Sequence, residues 1–167
     1  MRNLPLILLL STMITACYST GQLDTPANQQ SFNQTALTLH NQLRAKHHAP
    51  ALVWDNQLAK YAENHALTCR FRHSHSPYGE NLAAGQKNIS EAIYAWYDEN
   101  KLYSYAQPGF AKSTGHFTQM VWIASRKLGC GYAICDGKNG TPGKYYVCEY
   151  SPKGNVINEG YFESNVR

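Results

Sequence analysis

The chain has 167 residues, with 15 Lys and Arg against 11 Asp and Glu. Like charges form no runs, so the composition excludes a nucleic-acid-binding footprint and a polybasic membrane patch. If an N-terminal segment serves as an export signal, the remaining residues are enough for one domain with a buried core and too few for two domains.

The first 16 residues have the features of an export signal. Arg2 provides a positive charge and an apolar run follows at residues 4–14, shorter than the about 20 residues that a membrane-spanning helix needs. Residues 14–17 are ITAC, which resembles the bacterial lipobox, where the cysteine is lipidated and becomes the first residue after cleavage. We predict a lipoprotein signal at 1–16 and a lipid on Cys17; an ordinary cleavable signal is the alternative.

The cysteine count favours the lipid. With Cys17 as the anchor, the four remaining cysteines form an even set, as expected of an exported domain in which disulfides persist. These four are Cys69, Cys130, Cys135 and Cys148, and the sequence alone permits three pairings. Tyr18 stands where Asp signals inner-membrane retention in enteric-type lipoproteins. In a Gram-negative host this implies the outer membrane, with secretion as the alternative.

A flexible tether is predicted at 17–30, because this segment is rich in Ser, Thr, Gly, Gln and Asn and has few apolar groups. The folded domain is predicted to span 31–167. Its first helix has apolar residues at helical spacing from Phe32 to Leu43, and Pro50 follows its end.

Two further helices follow a short extended link at 51–54. Asp55 is a good N-cap for a second helix that ends near Cys69. Ser90 is predicted to cap a third helix, which places Glu99 near its last turn.

A short fourth helix is predicted at 116–122. Residues 128–134 and 144–150 then form two predicted antiparallel strands, joined by a segment rich in Gly and Pro. Helices followed by a hairpin indicate an α+β layered domain.

Four local patterns occur in the order in which the CAP superfamily has them. They are HNQLR at 40–44, GENL at 79–82, GHFTQMVW at 115–122 and YVCEYSPKGN at 146–155. Because of their joint order and spacing, the chain resembles this superfamily of cysteine-rich secretory proteins, venom allergens and plant pathogenesis-related proteins. AWY at 95–97 and QPGF at 107–110 are similar to the secreted yeast members, which bind sterols and fatty acids.

The resemblance implies a three-layer α-β-α sandwich with a central antiparallel sheet. It also implies two disulfides, Cys69 with Cys135 and Cys130 with Cys148. Glu149 departs from the pattern, since the family usually has a neutral polar or basic residue there. We interpret it as a change on an exposed strand.

The resemblance also implies a cleft lined by two His and two Glu. The matching residues are His73, Glu80, Glu99 and His116, with His75 as a rival for His73. His73 and His116, as neutral imidazoles with carboxylates nearby, are suited to hold Zn²⁺ with a water in an open position. In the alternative interpretation, the carboxylates only accept hydrogen bonds from the rings and from backbone amides.

The loop after the third helix is predicted to frame an apolar groove for an acyl chain or a sterol-like ligand. The residues assigned to this role are Tyr103, Tyr105, Pro108 and Phe110. The leading hypothesis is an exported, non-enzymatic protein that binds lipid or another envelope component. A metal-dependent or His/Glu-dependent hydrolase is the alternative, although no nucleophile is identifiable, since Ser74 and Ser76 lie in a turn-like segment.

Overall fold

The structure is a computed structural model that describes residues 26–167. The predicted signal, Cys17 and most of the predicted tether lie outside the described residues. The first helix, α1 (Pro26–Ala45), begins with proline, which is favoured in the first turn of a helix. Residues 26–30, at the end of the range predicted as tether, therefore belong to α1.

The other helices occur where the sequence predicts them, with one short addition at the C-terminal end. They are α2 (Asn56–Ala66), α3 (Ile89–Asp98), α4 (Gly115–Val121) and α5 (Tyr161–Asn165). One 3₁₀ turn (Glu99–Leu102) directly follows α3.

The structure confirms the predicted N-cap of α2 and corrects the predicted N-cap of α3. The Asp55 side chain accepts hydrogen bonds from the backbone N–H groups of Gln57 and Leu58. The N-cap of α3 is Asn88, whose side chain accepts from the N–H of Glu91 at 2.9 Å. The prediction of Ser90 was wrong because the backbone is already helical from Ile89 onward.

Four strands form one sheet. They are β1 (Val53–Trp54), β2 (Gly79–Ala84), β3 (Lys127–Asp136) and β4 (Pro142–Ser151), and their order across the sheet is β1-β3-β4-β2. The predicted hairpin is β3 and β4, and β2 pairs antiparallel with β4. The short edge strand β1 pairs parallel with β3, so the sheet is mixed rather than wholly antiparallel.

Helices cover both faces of the sheet, which confirms the α+β sandwich in three layers. A large hydrophobic cluster, which includes Trp96 and Phe117, lies between the sheet and helices α1, α3 and α4. A smaller one, which includes Ala66 and Tyr145, lies under α2. Helix α2 lies so close to β3 that a Cβ at Gly129 would be 2.1 Å from the backbone nitrogen of Ala59. Only glycine fits at this position.

Both predicted disulfides are present. Cys69 is bonded to Cys135, and Cys130 is bonded to Cys148. The first links the end of α2 to the hairpin, and the second joins β3 to β4 inside the core. Across residues 26–167, no helix has both the length and the apolar character that a membrane span requires.

Candidate functional site: a His/Glu cleft with apolar walls

A cleft of about 490 Å³ lies between the segment that leads into β2 and the segment that begins α4. Phe71, Leu82 and Phe110 provide its apolar walls, while His73 and His116 are among its polar lining groups. Such a combination of apolar surface with a few convergent polar groups is typical of a small-molecule site.

His73 is held by Glu80, the second residue of β2. The Nδ1–H of His73 donates to Glu80 Oε1 at 2.6 Å, and the backbone N–H of Ser74 donates to the same oxygen at 3.0 Å. The bond to Glu80 raises the pKa of His73, although partial burial opposes it. Burial alone would raise the pKa of Glu80, but hydrogen bonds from His73, Glu149 and Ser74 bring it down to about 2.

His116 is held by Glu99 in the same way. Its Nδ1–H donates to Glu99 Oε1 at 2.6 Å, while Glu99 Oε2 accepts from the backbone N–H groups of His116 at 2.9 Å and Phe117 at 3.1 Å. Glu99 does not line the cleft itself. It anchors the first turn of α4, and the ring of Trp96 stacks on that of His116 at 6.1 Å between centroids.

Both histidines therefore have a defined tautomer. An ionised carboxylate only accepts hydrogen bonds, so each neutral ring carries its proton on Nδ1 and has its lone pair on Nε2. Carboxylates that orient imidazoles in this manner are the usual support of metal-ligating histidines. Within residues 26–167, however, no three or more His, Cys, Asp or Glu side chains are grouped closely enough to hold a metal ion together.

The predicted residues do not all meet. His73, Glu80 and His116 line the cleft with Glu99 behind His116, whereas His75 lies outside the cleft lining. Of the predicted ligand-binding loop, Phe110 alone lines the cleft.

The other loop residues lie elsewhere. Tyr103 is buried against Phe117, with ring centroids 5.8 Å apart, and the Tyr105 hydroxyl lies 3.4 Å from Nδ1 of His47. Pro108 does not line the cleft either. Sequence reasoning missed the walls Phe71 and Leu82; the GENL pattern that contains Leu82 was the available signal.

Glu149 corrects an expectation. It is fully buried, not exposed, because β4 lies between β2 and β3 and both faces of the sheet are covered. It stands opposite Glu80 in the β2–β4 register, and Ser76 Oγ donates to its Oε2 at 3.2 Å. Burial, and then the neighbouring Glu80 carboxylate, raise the pKa of Glu149 to about 9.

A neutral Glu149 explains how two carboxyl groups tolerate this contact. No donor in the described part of the chain reaches Glu149 Oε1. Burial and the Glu80 carboxylate both favour the protonated form of Glu149, and its interaction with Glu80 in turn lowers the pKa of Glu80. Ser76 is thereby engaged with Glu149 rather than with a cleft histidine.

The model of the CAP family, described as the cysteine-rich secretory protein family, matches residues 37–150. The chain belongs to this family. It is 39% identical over 145 residues to pathogenesis-related protein 1 of Arabidopsis thaliana, covering 83% of this chain and 88% of the relative. It is 42% identical over 134 residues to secreted protein PRY1 of Candida albicans, covering 78% of this chain and 31% of the relative.

The fungal relatives are longer than this chain, which spans between 31% and 56% of three of them. Among solved structures of the family, one described as NaASP2 with Zn²⁺ superimposes with a TM-score of 0.66 at 26% identity. The superposition covers 88% of this chain and 90% of that one. The cleft therefore lies in a CAP domain of ordinary topology.

Proposed function

We propose that this CAP domain is an exported, non-enzymatic binding protein whose cleft takes a lipid or sterol-like ligand. The observation that carries the proposal is the meeting of Phe71, Leu82 and Phe110 around one cavity. Phe71 and Phe110 are 56% and 47% exposed, and large apolar side chains that face an open cavity gain free energy when a ligand covers them.

The test is direct binding of a fatty acid and of a sterol to the natural domain and to Phe110→Ala. The variant is expected to bind several-fold more weakly, since it loses an apolar wall. Tyr94→Ala is the matched control, because Tyr94 is 48% exposed on α3 and does not line the cleft. If both ligands fail to bind the natural domain, the ligand class is wrong.

The cleft histidines support a divalent-metal site within the same proposal. His73 and His116 would hold Zn²⁺ through Nε2, because Glu80 and Glu99 occupy their Nδ1 atoms. A bound Zn²⁺ supplies a Lewis acid that orients a polar ligand group. Water or ligand would complete the coordination, since the described residues offer only these two ligands.

Export and lipid anchoring form the remaining part of the proposal. The two disulfides and a relative named as secreted support an oxidising compartment. The ITAC pattern supports a lipid on Cys17 and, in a Gram-negative host, the outer membrane. Cys17→Ser is expected to release the protein from the membrane fraction, and unchanged fractionation would contradict the anchor.

A further inference from the structure

A second cavity of about 320 Å³ adjoins the cleft, and we call it the basic pocket. Its lining includes His65, Arg70, Arg72, His73 and His75. No carboxylate is part of this lining. Arg72 and His73 also line the cleft, so the two cavities are contiguous.

A tight turn distributes three consecutive side chains between these cavities. The backbone N–H of Arg72 donates to the carbonyl of Arg70 at 2.8 Å, with Phe71 between them. Phe71 lines the cleft, Arg70 lines the basic pocket and Arg72 lines both. An apolar surface and two guanidinium groups are thus placed side by side.

The backbone of this turn is held on both sides. The disulfide of Cys69 precedes it, and Nε2 of His65 donates to the carbonyl of Arg72 at 2.7 Å. His73, the next residue, is bound to Glu80. The two arginine side chains therefore start from a fixed backbone, which lowers the entropy lost when they bind a ligand.

The cations of this region have no anionic partner in residues 26–167. Arg70, Arg72 and Lys112, which lines the cleft, form no ion pair with a described carboxylate. Glu80 is the one carboxylate among the cleft lining, and its oxygens are engaged by His73 and by the backbone of Ser74. With Arg70, Arg72 and Lys112 against the single carboxylate of Glu80, the lining of the two cavities keeps a net positive charge, which favours an anion there.

We propose that the basic pocket binds the phosphate headgroup of a lipid whose acyl chain lies in the cleft. This inference rests on the proposed function, because it uses the same cleft for the apolar part. Phosphate suits the pocket better than carboxylate does, since two guanidinium forks present more N–H donors than two carboxylate oxygens accept, and a phosphate monoester offers three free oxygens.

The test compares three soluble probes by titration calorimetry at low and physiological salt. Decyl phosphate carries both parts of the ligand, decanol has only the chain, and inorganic phosphate has only the headgroup. Decyl phosphate is expected to bind most tightly, and its affinity should fall as salt screens the arginines.

Three variants locate the contribution of the headgroup. Arg70→Gln and Arg72→Gln are expected to weaken decyl phosphate by about tenfold each, as the loss of a charge-assisted contact does, and to leave decanol unchanged. Arg126→Gln is the matched control, because this substitution removes the same charge from an exposed residue that lines neither cavity. Its affinities should equal those of the natural domain.

Each other outcome contradicts the inference in a distinguishable way. Equal binding of decyl phosphate and decanol, insensitive to both arginine variants, would remove the headgroup site and keep the proposed function. Inorganic phosphate that binds as tightly as decyl phosphate would leave a free anion site without a lipid. Failure of both alkyl probes would overturn the proposed function together with the inference.

Discussion

Glu80 and Glu149 stand opposite each other in the pairing of strands β2 and β4, and their interaction lowers the pKa of Glu80 and raises that of Glu149. The ionised partner is Glu80, which orients His73 at the cleft. The protonated partner is Glu149, which has no exposed surface. The cleft is therefore supported from within by a residue that the sequence suggested to be on the surface.

This pair makes stability depend on pH. The folded pKa of Glu149 is about 9, above the usual 4.5, so the folded state keeps a proton that the unfolded chain releases. Stability should fall as pH rises from about 5 to about 9. Glu149→Gln, which retains a donor towards Glu80 and cannot ionise, is expected to gain about 1–3 kcal/mol at pH 7.

Urea unfolding of Glu149→Gln and of the natural domain between pH 5 and pH 9 checks this prediction. Glu159→Gln, at an exposed site, serves as the control and should follow the natural domain. Parallel pH profiles for the natural domain and Glu149→Gln would show that Glu149 is ionised in the fold.

His40 and Tyr150 form a buried hydrogen bond in the core. His40 Nδ1–H donates to the carbonyl of Ala36 at 2.7 Å, and the Tyr150 hydroxyl, which donates to His40 Nε2 at 2.8 Å, also accepts from Asn81. Tyr150→Phe leaves His40 Nε2 without a partner and removes one of the two hydrogen bonds of the Asn81 amide nitrogen, which keeps its bond to the carbonyl of His116. The substitution is expected to cost about 1–3 kcal/mol in unfolding free energy. Tyr94→Phe, at an exposed position, should cost almost nothing.

His40 also predicts acid sensitivity. Burial lowers its pKa from 6.5 to about 4, so the unfolded chain takes up a proton in this range and the folded state does not. The contribution of His40 to stability is complete above about pH 6.5 and is lost as pH falls towards 4. Denaturation curves of His40→Gln, which cannot titrate, should lack this acid-side loss; an identical loss would assign it to other groups.

Zinc binding is expected to depend on both cleft histidines. His73→Ala and His116→Ala should each abolish binding at neutral pH, while His75→Ala, outside the cleft lining, should retain it. Affinity should weaken as pH falls, because protonation removes the lone pair that the metal needs. Since the hydrogen bond to Glu80 raises the pKa of His73, the weakening should begin above the usual imidazole value of about 6.5. Titration calorimetry with Zn²⁺ measures this, and absence of binding at neutral pH would leave the four residues as a hydrogen-bonded support.

The Cys69–Cys135 disulfide is expected to stabilise the fold more than the Cys130–Cys148 disulfide does, because it closes a longer loop. It spans 66 residues of sequence against 18 for Cys130–Cys148. Loop-closure entropy then gives about 4 and about 3 kcal/mol respectively. Chemical denaturation of Cys69→Ala/Cys135→Ala measures the first value, and an unchanged unfolding free energy would contradict it.

The sequence by itself determined those features that depend on nearby residues or on family patterns. Asp55 caps α2 because a cap needs only its own helix. The β3–β4 hairpin follows from the turn residues between two strands. The disulfide pairing and the choice of two His and two Glu for the cleft came from the resemblance, whereas the pairing of each His with its Glu came from the structure.

Only the tertiary structure decided which side chains face the cleft and which are buried. Strand β2 has no clear alternation because it is buried on both faces, and Glu149 looks like a surface residue until β2 covers its strand. Tyr103 is buried in the core, whereas Phe110 from the same loop lines the cleft. The neighbouring residues Arg70 and Phe71 line different cavities. Local patterns cannot determine these placements, because burial depends on segments that are far apart in the chain and meet only in the fold.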